Sequence, residues 1–249
     1  MNDFNQRTKA VLLVGGLGTR LRSVLPSTPK PLASVGNRPF LELLVRQLRN
    51  QGIYNLVFCT GYLGHEIESE FGNGSAWDVN IEYSREPHPM GTAGAVKFAE
   101  PLLRQDSDFL VMNGDSFMEI DFRELIHVHR TSGGIASMAV LRRKNEMRYG
   151  TVQLAPDGRV SAFTEKTGSS AVGFVNAGIY VFNPRIFEHI PEGPGSLERD
   201  IFPKLLDHRV YAAEQHGVFI DIGTPEDYVR AQEICARLYI AARPTRSSE

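Results

Sequence analysis

Apolar residues come along this chain in two rhythms. In the first half, short unbroken apolar runs alternate with stretches of helical spacing. "AVLLV" (10–14) is continuous and closed by glycine, the pattern of a strand buried on both faces. "RPFLELLVRQLRNQG" (38–52) sets Phe40, Leu41, Leu44, Val45 and Leu48 on one helical face and stops at Gly52, which predicts a helix. "NLVFCT" (55–60), "VNIEYS" (79–84) and "DFLVMNGDS" (108–116) predict further strands. "LGHEIESEFG" (63–72) predicts a short helix, and "GTAGAVKFAEPLL" (91–103) the start of another. Alternation of this kind implies parallel crossovers and a doubly wound sheet, with ligands at the carboxyl ends of its strands.

The second half is richer in strands. "IASMAVLRR" (135–143), "YGTVQLAPDGRVSAFTEK" (149–166) and "GFVNAGIYVFNP" (173–184) carry alternating or β-rich patterns, with "APDG" as a turn. Helical patterns return at "LERDIFPKLLDH" (197–208) and "PEDYVRAQEICARLYIAA" (225–242), on either side of a strand in "GVFIDIG" (217–223). No repeat or long linker interrupts the pattern. Together these segments predict an α/β fold with a doubly wound, mostly parallel mixed sheet, in a single domain over 1–249. One half runs over about 8–116 and a β-rich half over about 117–240. The tail, 242–249, lacks apolar anchors and is expected to fray.

Composition narrows the function classes. With 249 residues, 42% hydrophobic and 22% charged, the chain is an ordinary globular sequence with length for a real core. A net charge of -2 gives no bulk attraction to nucleic acid. No apolar stretch approaches the roughly 20 residues of a membrane span, and the charged N-terminus has too short an apolar run for a signal peptide. A cytoplasmic address without a membrane partner is therefore expected. Cys59 and Cys235 sit in apolar patterns and read as small core residues, not a disulfide.

Chemistry concentrates in "LLVGGLGTRLRSVLPSTPKPL" (12–32). A dinucleotide fingerprint needs a third glycine where Leu21 stands, and a P-loop needs Lys-Ser or Lys-Thr after its glycine; both fail. What remains is a glycine turn whose N–H groups can meet phosphate oxygens, with the cations Arg20 and Lys30 beside it. Pro29 and Pro31 fix the path around Lys30. That charge exceeds the needs of a dinucleotide pyrophosphate and suits a triphosphate that is cleaved. Asp115 and Asp221 each follow an apolar strand, a usual place for functional carboxylates. Read alone, Asp115 could instead cap the helix in "FMEIDFREL", and Asp221 could be a turn carboxylate. Arg7, Lys9, Arg22 and Arg38 read as solvated charges. His127 and His129 in "HVH" read as a solvated pair on opposite sides of a helix, poorly spaced for a metal.

"GGLGTRL" followed by "PKP" closely resembles the signature of the sugar-1-phosphate nucleotidyltransferases, whose loop of this form wraps a nucleoside triphosphate. Further segments follow in that family's order: "EPHPMGTAGAV" (86–96) is similar to its base-binding segment and "MNGDS" (112–116) to its metal-binding strand end. "FTEK" (163–166) and "VNAGIYVF" (175–182) resemble its sugar-phosphate and sugar segments, and "FIDIGTPEDY" (219–228) its second metal-carboxylate segment. The resemblance implies a Rossmann-like, GT-A-like nucleotidyltransferase whose first half binds nucleotide and whose second half binds sugar. It implies nucleotide contacts from Leu13, Gly15, Gly16, Gly18, Thr19, Glu86, Gly91 and Thr92, with Arg20 and Lys30 acting on the triphosphate. It implies sugar-phosphate contacts from Asn113, Gly114, Glu165, Asn176 and Gly178, with Lys166 on the phosphate of the sugar 1-phosphate. Asp115 and Asp221 would hold Mg²⁺, which is commonly bound by one or two carboxylates plus phosphates and waters. No nucleophile–base pair is visible and none is needed. A sugar 1-phosphate is already anionic, so catalysis requires in-line positioning and charge neutralisation.

Relatives that use thymidine or uridine triphosphate often carry glutamine where this chain has Glu86. A carboxylate can accept the two parallel donors of guanine, so GTP is expected, with UTP or dTTP the alternative. Within the family, "GTRLRSVLPSTPKPLASVGNRPFLELL" most resembles guanylyltransferases of D-glycero-D-manno-heptose 1-phosphate from capsule and surface-glycan pathways. Mannose or another hexose 1-phosphate is the alternative sugar. The hexapeptide β-helix of larger mannose and adenylyl relatives has no counterpart in this sequence. The expected partners are therefore small-molecule substrates, with a homodimer as a compatible assembly. A non-catalytic sugar-nucleotide sensor is the competing class, against which Asp115, Asp221, Lys30 and Lys166 all speak.

Overall fold

The computed structural model describes residues 8–104, 108–143, 151–164 and 173–241. Strand β1 (Lys9–Leu13) leads through the glycine loop to a small antiparallel pair, β2 (Ser34–Val35) and β3 (Arg38–Pro39), and then to helix α1 (Phe40–Asn50). β4 (Asn55–Thr60), α2 (Gly64–Phe71), β5 (Asn80–Arg85), α3 (Gly91–Phe98) and β6 (Phe109–Asn113) complete the first half. The second half contains β7 (Ser116–Met118), α4 (Phe122–Ser132), β8 (Ala136–Arg143), β9 (Thr151–Leu154) and β10 (Val160–Thr164). β11 (Gly173–Phe182), β12 (Val210–Gln215), β13 (Phe219–Asp221) and α5 (Pro225–Ala241) follow.

β5, β4, β1 and β6 run parallel in that order. β11 crosses to antiparallel beside β6 and carries β8 and β9 with it, while β12 lies parallel beside β8. The strand order reverses at β1, whose neighbours are β4 on one side and β6 on the other. Such a switch point opens a crevice at the carboxyl ends of the strands, and the site occupies it. The expected doubly wound, mostly parallel central sheet is thus present.

Burial on both faces explains the unbroken run in β1. Ala10, Leu12 and Val14 face a core shared with α1, α2, α4 and α5. Val11 faces the other core, with α3 and the residues around Phe202. Both cysteines are buried free thiols, as their apolar settings predict. Leu21 is also buried, filling the space a third fingerprint glycine would have left.

The helix expected to start in 91–103 runs over Gly91–Phe98, and a separate turn spans Glu100–Leu103, where Pro101 has no N–H to continue the ladder. Three expectations need correction. The helix over 197–208 is a π-helical turn, Leu197–Ile201, followed by a 3-10 stretch, Phe202–His208, with Pro203 again removing a donor. His129 is not solvated. It continues the buried stripe of Phe122, Leu125 and Ile126 at i+7, and its Nδ1 lies 3.0 Å from the Ser137 hydroxyl. Lys9 is paired instead of simply solvated, donating to the Leu102 carbonyl (2.6 Å), whereas Arg22 and Arg38 are exposed as expected, Arg38 also meeting Glu42 at 2.5 Å. Arg7 and the tail over 242–249 lie outside the described residues. Among the described residues no helix is long and apolar enough to cross a membrane.

Candidate active site

The loop after β1 is shaped by close approach. A Cβ on Gly15 would lie 2.7 Å from Glu86 Oε1 and 2.9 Å from the Gly61 nitrogen, so only glycine lets β1, β4 and the base segment meet here. Gly18 takes the left-handed conformation (φ 57°) and opens a 3-10 turn, Thr19–Leu21, which the buried Leu21 anchors. The turn leaves Arg20 exposed at the mouth of the crevice. Lys30 begins a second 3-10 turn, Lys30–Leu32, held between Pro29 and Pro31. Its ammonium is nearly buried and sits 2.5 Å from Asp115 Oδ2.

Asp115 stands just beyond β6. The preceding Gly114 has no room for a Cβ, which would meet Val14 at 2.6 Å, and its N–H donates to the Leu13 carbonyl. Asp121, not Asp115, caps α4, accepting from Arg123 N–H at 2.9 Å. The Ile222 N–H donates to the Asp115 carbonyl, and Asp221 stands opposite Ser116 in the β7–β13 pair. These bonds bring the two carboxylates together from positions over a hundred residues apart. Burial first, and the neighbouring Asp115 charge second, push the Asp221 carboxyl upward, while Lys30 and the Gly223 N–H (2.5 Å to Oδ1) oppose the shift. Among the described residues no group of three or more His, Cys, Asp or Glu side chains is clustered for a metal. A cation here would have two carboxylates only.

A crevice of about 410 Å³ unites most of the predicted positions. Leu13, Gly15, Gly16, Gly18, Thr19, Arg20 and Lys30 line one side; Glu86, Gly91, Thr92, Asn113, Gly114 and Asp115 line the other. Glu86 Oε2 accepts the Met90 N–H at 3.0 Å, and burial is the main cause that raises its pKa. Asp221 does not line the crevice itself and reaches it through Gly223. Asn176 and Gly178 flank it: β11 shifts register between Asn176 and Tyr180, and Gly178 has φ 72°. A Cβ on Gly178 would approach Asn113 Nδ2 to 2.5 Å, so this irregularity lets β11 press against the end of β6. Asn113 Oδ1 is buried with no hydrogen-bond partner among the described residues. Glu165 and Lys166 lie outside the described residues.

A family model described as "Nucleotidyl transferase" matches residues 9–237. The chain belongs to the nucleotidyl transferase family. Among curated relatives in this family, a D-glycero-alpha-D-manno-heptose 1-phosphate guanylyltransferase from Aneurinibacillus thermoaerophilus is 39% identical over 90% of this chain and 97% of its own length. A mannose-1-phosphate guanylyltransferase from Mycobacterium tuberculosis is 38% identical over 89% of this chain. The chain spans only 62% of that relative's length. The crystal structure of HddC from Yersinia pseudotuberculosis complexed with GMP-PN superposes with a TM-score of 0.82 at 32% identity, covering 92% of this chain and 99% of HddC.

Two side chains that sequence reasoning missed stand behind Thr92, which lines the crevice. Glu198 Oε2 accepts from the Thr92 and Ser196 hydroxyls (both 2.9 Å), and its Oε1 accepts from the buried Tyr180 hydroxyl (2.9 Å). In the pattern "SLERDIF" a glutamate near a helix start reads as a dipole complement, so nothing local marked it. Tyr180 reads as one more apolar position of β11.

Proposed function

We propose that this protein transfers GMP from GTP to a sugar 1-phosphate, D-glycero-D-manno-heptose 1-phosphate first, giving a GDP-sugar and pyrophosphate. The observation that carries the reading is the joining, at one switch-point crevice, of the glycine loop with Arg20, the Lys30–Asp115 pair beside Asp221, and the half-buried carboxylate of Glu86. An oxygen of the sugar phosphate attacks the α-phosphorus of GTP. The new P–O bond forms as the bond to the β-phosphate bridging oxygen breaks, and that oxygen leaves with the electron pair on pyrophosphate. Loop N–H groups orient the triphosphate, and Arg20 and Lys30 offset the charge that gathers on its oxygens. Lys166, by family resemblance, holds the phosphate of the incoming sugar.

Asp115 and Asp221 suit Mg²⁺. Two adjacent carboxylates repel each other, and Asp115 already takes a cation, the Lys30 ammonium, at 2.5 Å. When bound, Mg²⁺ would neutralise and align the phosphate oxygens. Guanine is read by Glu86 through its two parallel donors. The near full-length match to a heptose 1-phosphate enzyme supports heptose over mannose. The same reading places the activity in the cytoplasm, in supply of surface polysaccharide, with a homodimer as the compatible assembly.

Pyrophosphate release, measured for GTP, UTP, dTTP and ATP crossed with heptose, mannose and glucose 1-phosphates, tests the reading. GTP with the heptose 1-phosphate should give the highest kcat/KM. No release with any pair would overturn nucleotidyl transfer itself, whereas a different best pair would overturn only the substrate assignment.

A further inference from the structure

A chain of hydrogen bonds with a fixed direction crosses the site from one half to the other. It begins at Thr92 on α3, whose hydroxyl accepts the Leu197 N–H (2.8 Å) and therefore must donate onward, to Glu198 Oε2. Ser196 donates to the same oxygen. On the far side, the Tyr180 hydroxyl donates to Glu198 Oε1 and accepts from Asn176 Nδ2 at 2.8 Å. Asn176 Oδ1 in turn accepts the Gly178 N–H at 2.9 Å, inside the irregular stretch of β11 that presses on Asn113. Each group has one role available. A carboxylate only accepts, so the three hydroxyls of Thr92, Ser196 and Tyr180 must donate to it, so Tyr180 must accept from Asn176, so the Asn176 amide cannot flip.

The surroundings tie the two ends of this chain together. Tyr180 is fully buried, and burial together with the negative charges of Glu198 and Asp115 raises its pKa, which keeps its proton on the donor side. The loop before Glu198 is bonded to the start of α3 in both directions: Ala93 N–H donates to the Gly195 carbonyl and Gly195 N–H to the Met90 carbonyl, each 2.9 Å. Movement at Gly91 and Thr92, in the nucleotide half, therefore cannot occur without moving Glu198.

We infer that Glu198 is a positioning residue that couples the two substrate subsites. A nucleotide that contacts Gly91 and Thr92 selects the placement of Glu198, which through Tyr180 sets the Asn176 amide and the Gly178 backbone beside Asn113 of the crevice. The two ligands then bind with positive cooperativity, because the arrangement of Thr92, Glu198 and Asn176 selected by one is the arrangement the other meets. This inference rests on the proposed function for the identity of its two ligands.

Titration calorimetry of the full chain tests it. The dissociation constant of D-glycero-D-manno-heptose 1-phosphate is measured with and without saturating α,β-methylene-GTP, which cannot release pyrophosphate. The ratio of the two constants in wild type should be about fivefold or more. Tyr180→Phe keeps the buried ring and cuts the chain at its middle; its ratio should fall close to one while its affinity for α,β-methylene-GTP alone stays within about twofold. Glu198→Ala should lower the ratio likewise, and Glu198→Gln, which keeps an acceptor, should restore part of it. A Tyr180→Phe ratio equal to wild type, or a wild-type ratio of one, overturns the coupling while leaving nucleotidyl transfer intact. Wild-type protein that binds neither ligand and releases no pyrophosphate overturns the functional reading, and the coupling with it.

Discussion

Gly15 and Gly16 are adjacent in the loop, and replacing each with alanine should have opposite consequences. Neither has a positive φ, so an added methyl is judged on space alone. At Gly15 the methyl would fall 2.7 Å from Glu86 Oε1, 2.9 Å from the Gly61 nitrogen and 3.2 Å from the Thr60 carbonyl carbon. Two of these are backbone atoms, and the Glu86 carboxylate is tied to the Met90 N–H, so none can give way cheaply. Overpacking of this kind costs about 1–3 kcal/mol. In a chain of this size each kcal/mol lowers Tm by about 2–4 °C, so G15A should melt about 2–12 °C below wild type. At Gly16 no atom lies within 4 Å of the added methyl, and Tm should stay within about 2 °C of wild type. The methyl of G16A would instead crowd the triphosphate, raising KM for GTP without loss of stability. Differential scanning calorimetry with steady-state kinetics reads both effects. A G15A protein that melts with wild type, or a G16A protein as destabilised as G15A, would refute the close packing of β1, β4 and Glu86.

Glu86→Gln should shift triphosphate preference from GTP toward UTP or dTTP in a pyrophosphate-release assay, and an unchanged ratio would refute the pairing of Glu86 with guanine. The same substitution has a pH signature. Burial raises the Glu86 pKa in the fold, so the ionised carboxylate costs stability at neutral pH and that cost is relieved as pH falls through the raised value. E86Q should therefore be the more stable protein at pH 7, with the difference shrinking toward pH 4 in urea titrations. A difference that grows with acidity would contradict the assignment. Asp115→Ala should lower kcat by about a hundredfold or more while the near- and far-UV circular dichroism stay native. Activity that survives both this change and removal of divalent cations by chelation would rule out the proposed Mg²⁺ site.

Much of the fold was legible because the sheet is buried on both faces. A strand with no solvated side must be apolar throughout, and "AVLLV" announces itself in that way. The phosphate loop was legible for a different reason. Its glycines answer to backbone approach at Gly15 and to a left-handed conformation at Gly18, constraints that leave a compact local pattern. A proline misled the helix reading at 197–208, where the apolar spacing continues across Pro203 although the hydrogen-bond ladder cannot. His129 shows the limit of residue identity as a guide: its helical phase, seven residues after Phe122, decides its burial more than its polarity does. Glu198 was illegible because its partners Thr92 and Tyr180 are distant in sequence, and a hydrogen-bonded carboxylate has no local signature.

The central claim is that the α-phosphate of GTP passes to a sugar 1-phosphate. It is tested most directly by following the label from GTP carrying ³²P at the α position, mixed with enzyme, Mg²⁺ and D-glycero-D-manno-heptose 1-phosphate. The account predicts that the label appears in a GDP-sugar, that unlabelled pyrophosphate forms in equal amount, and that neither appears with Asp115→Ala. Label recovered only as GMP or GDP, or found only in unreacted GTP, would contradict it.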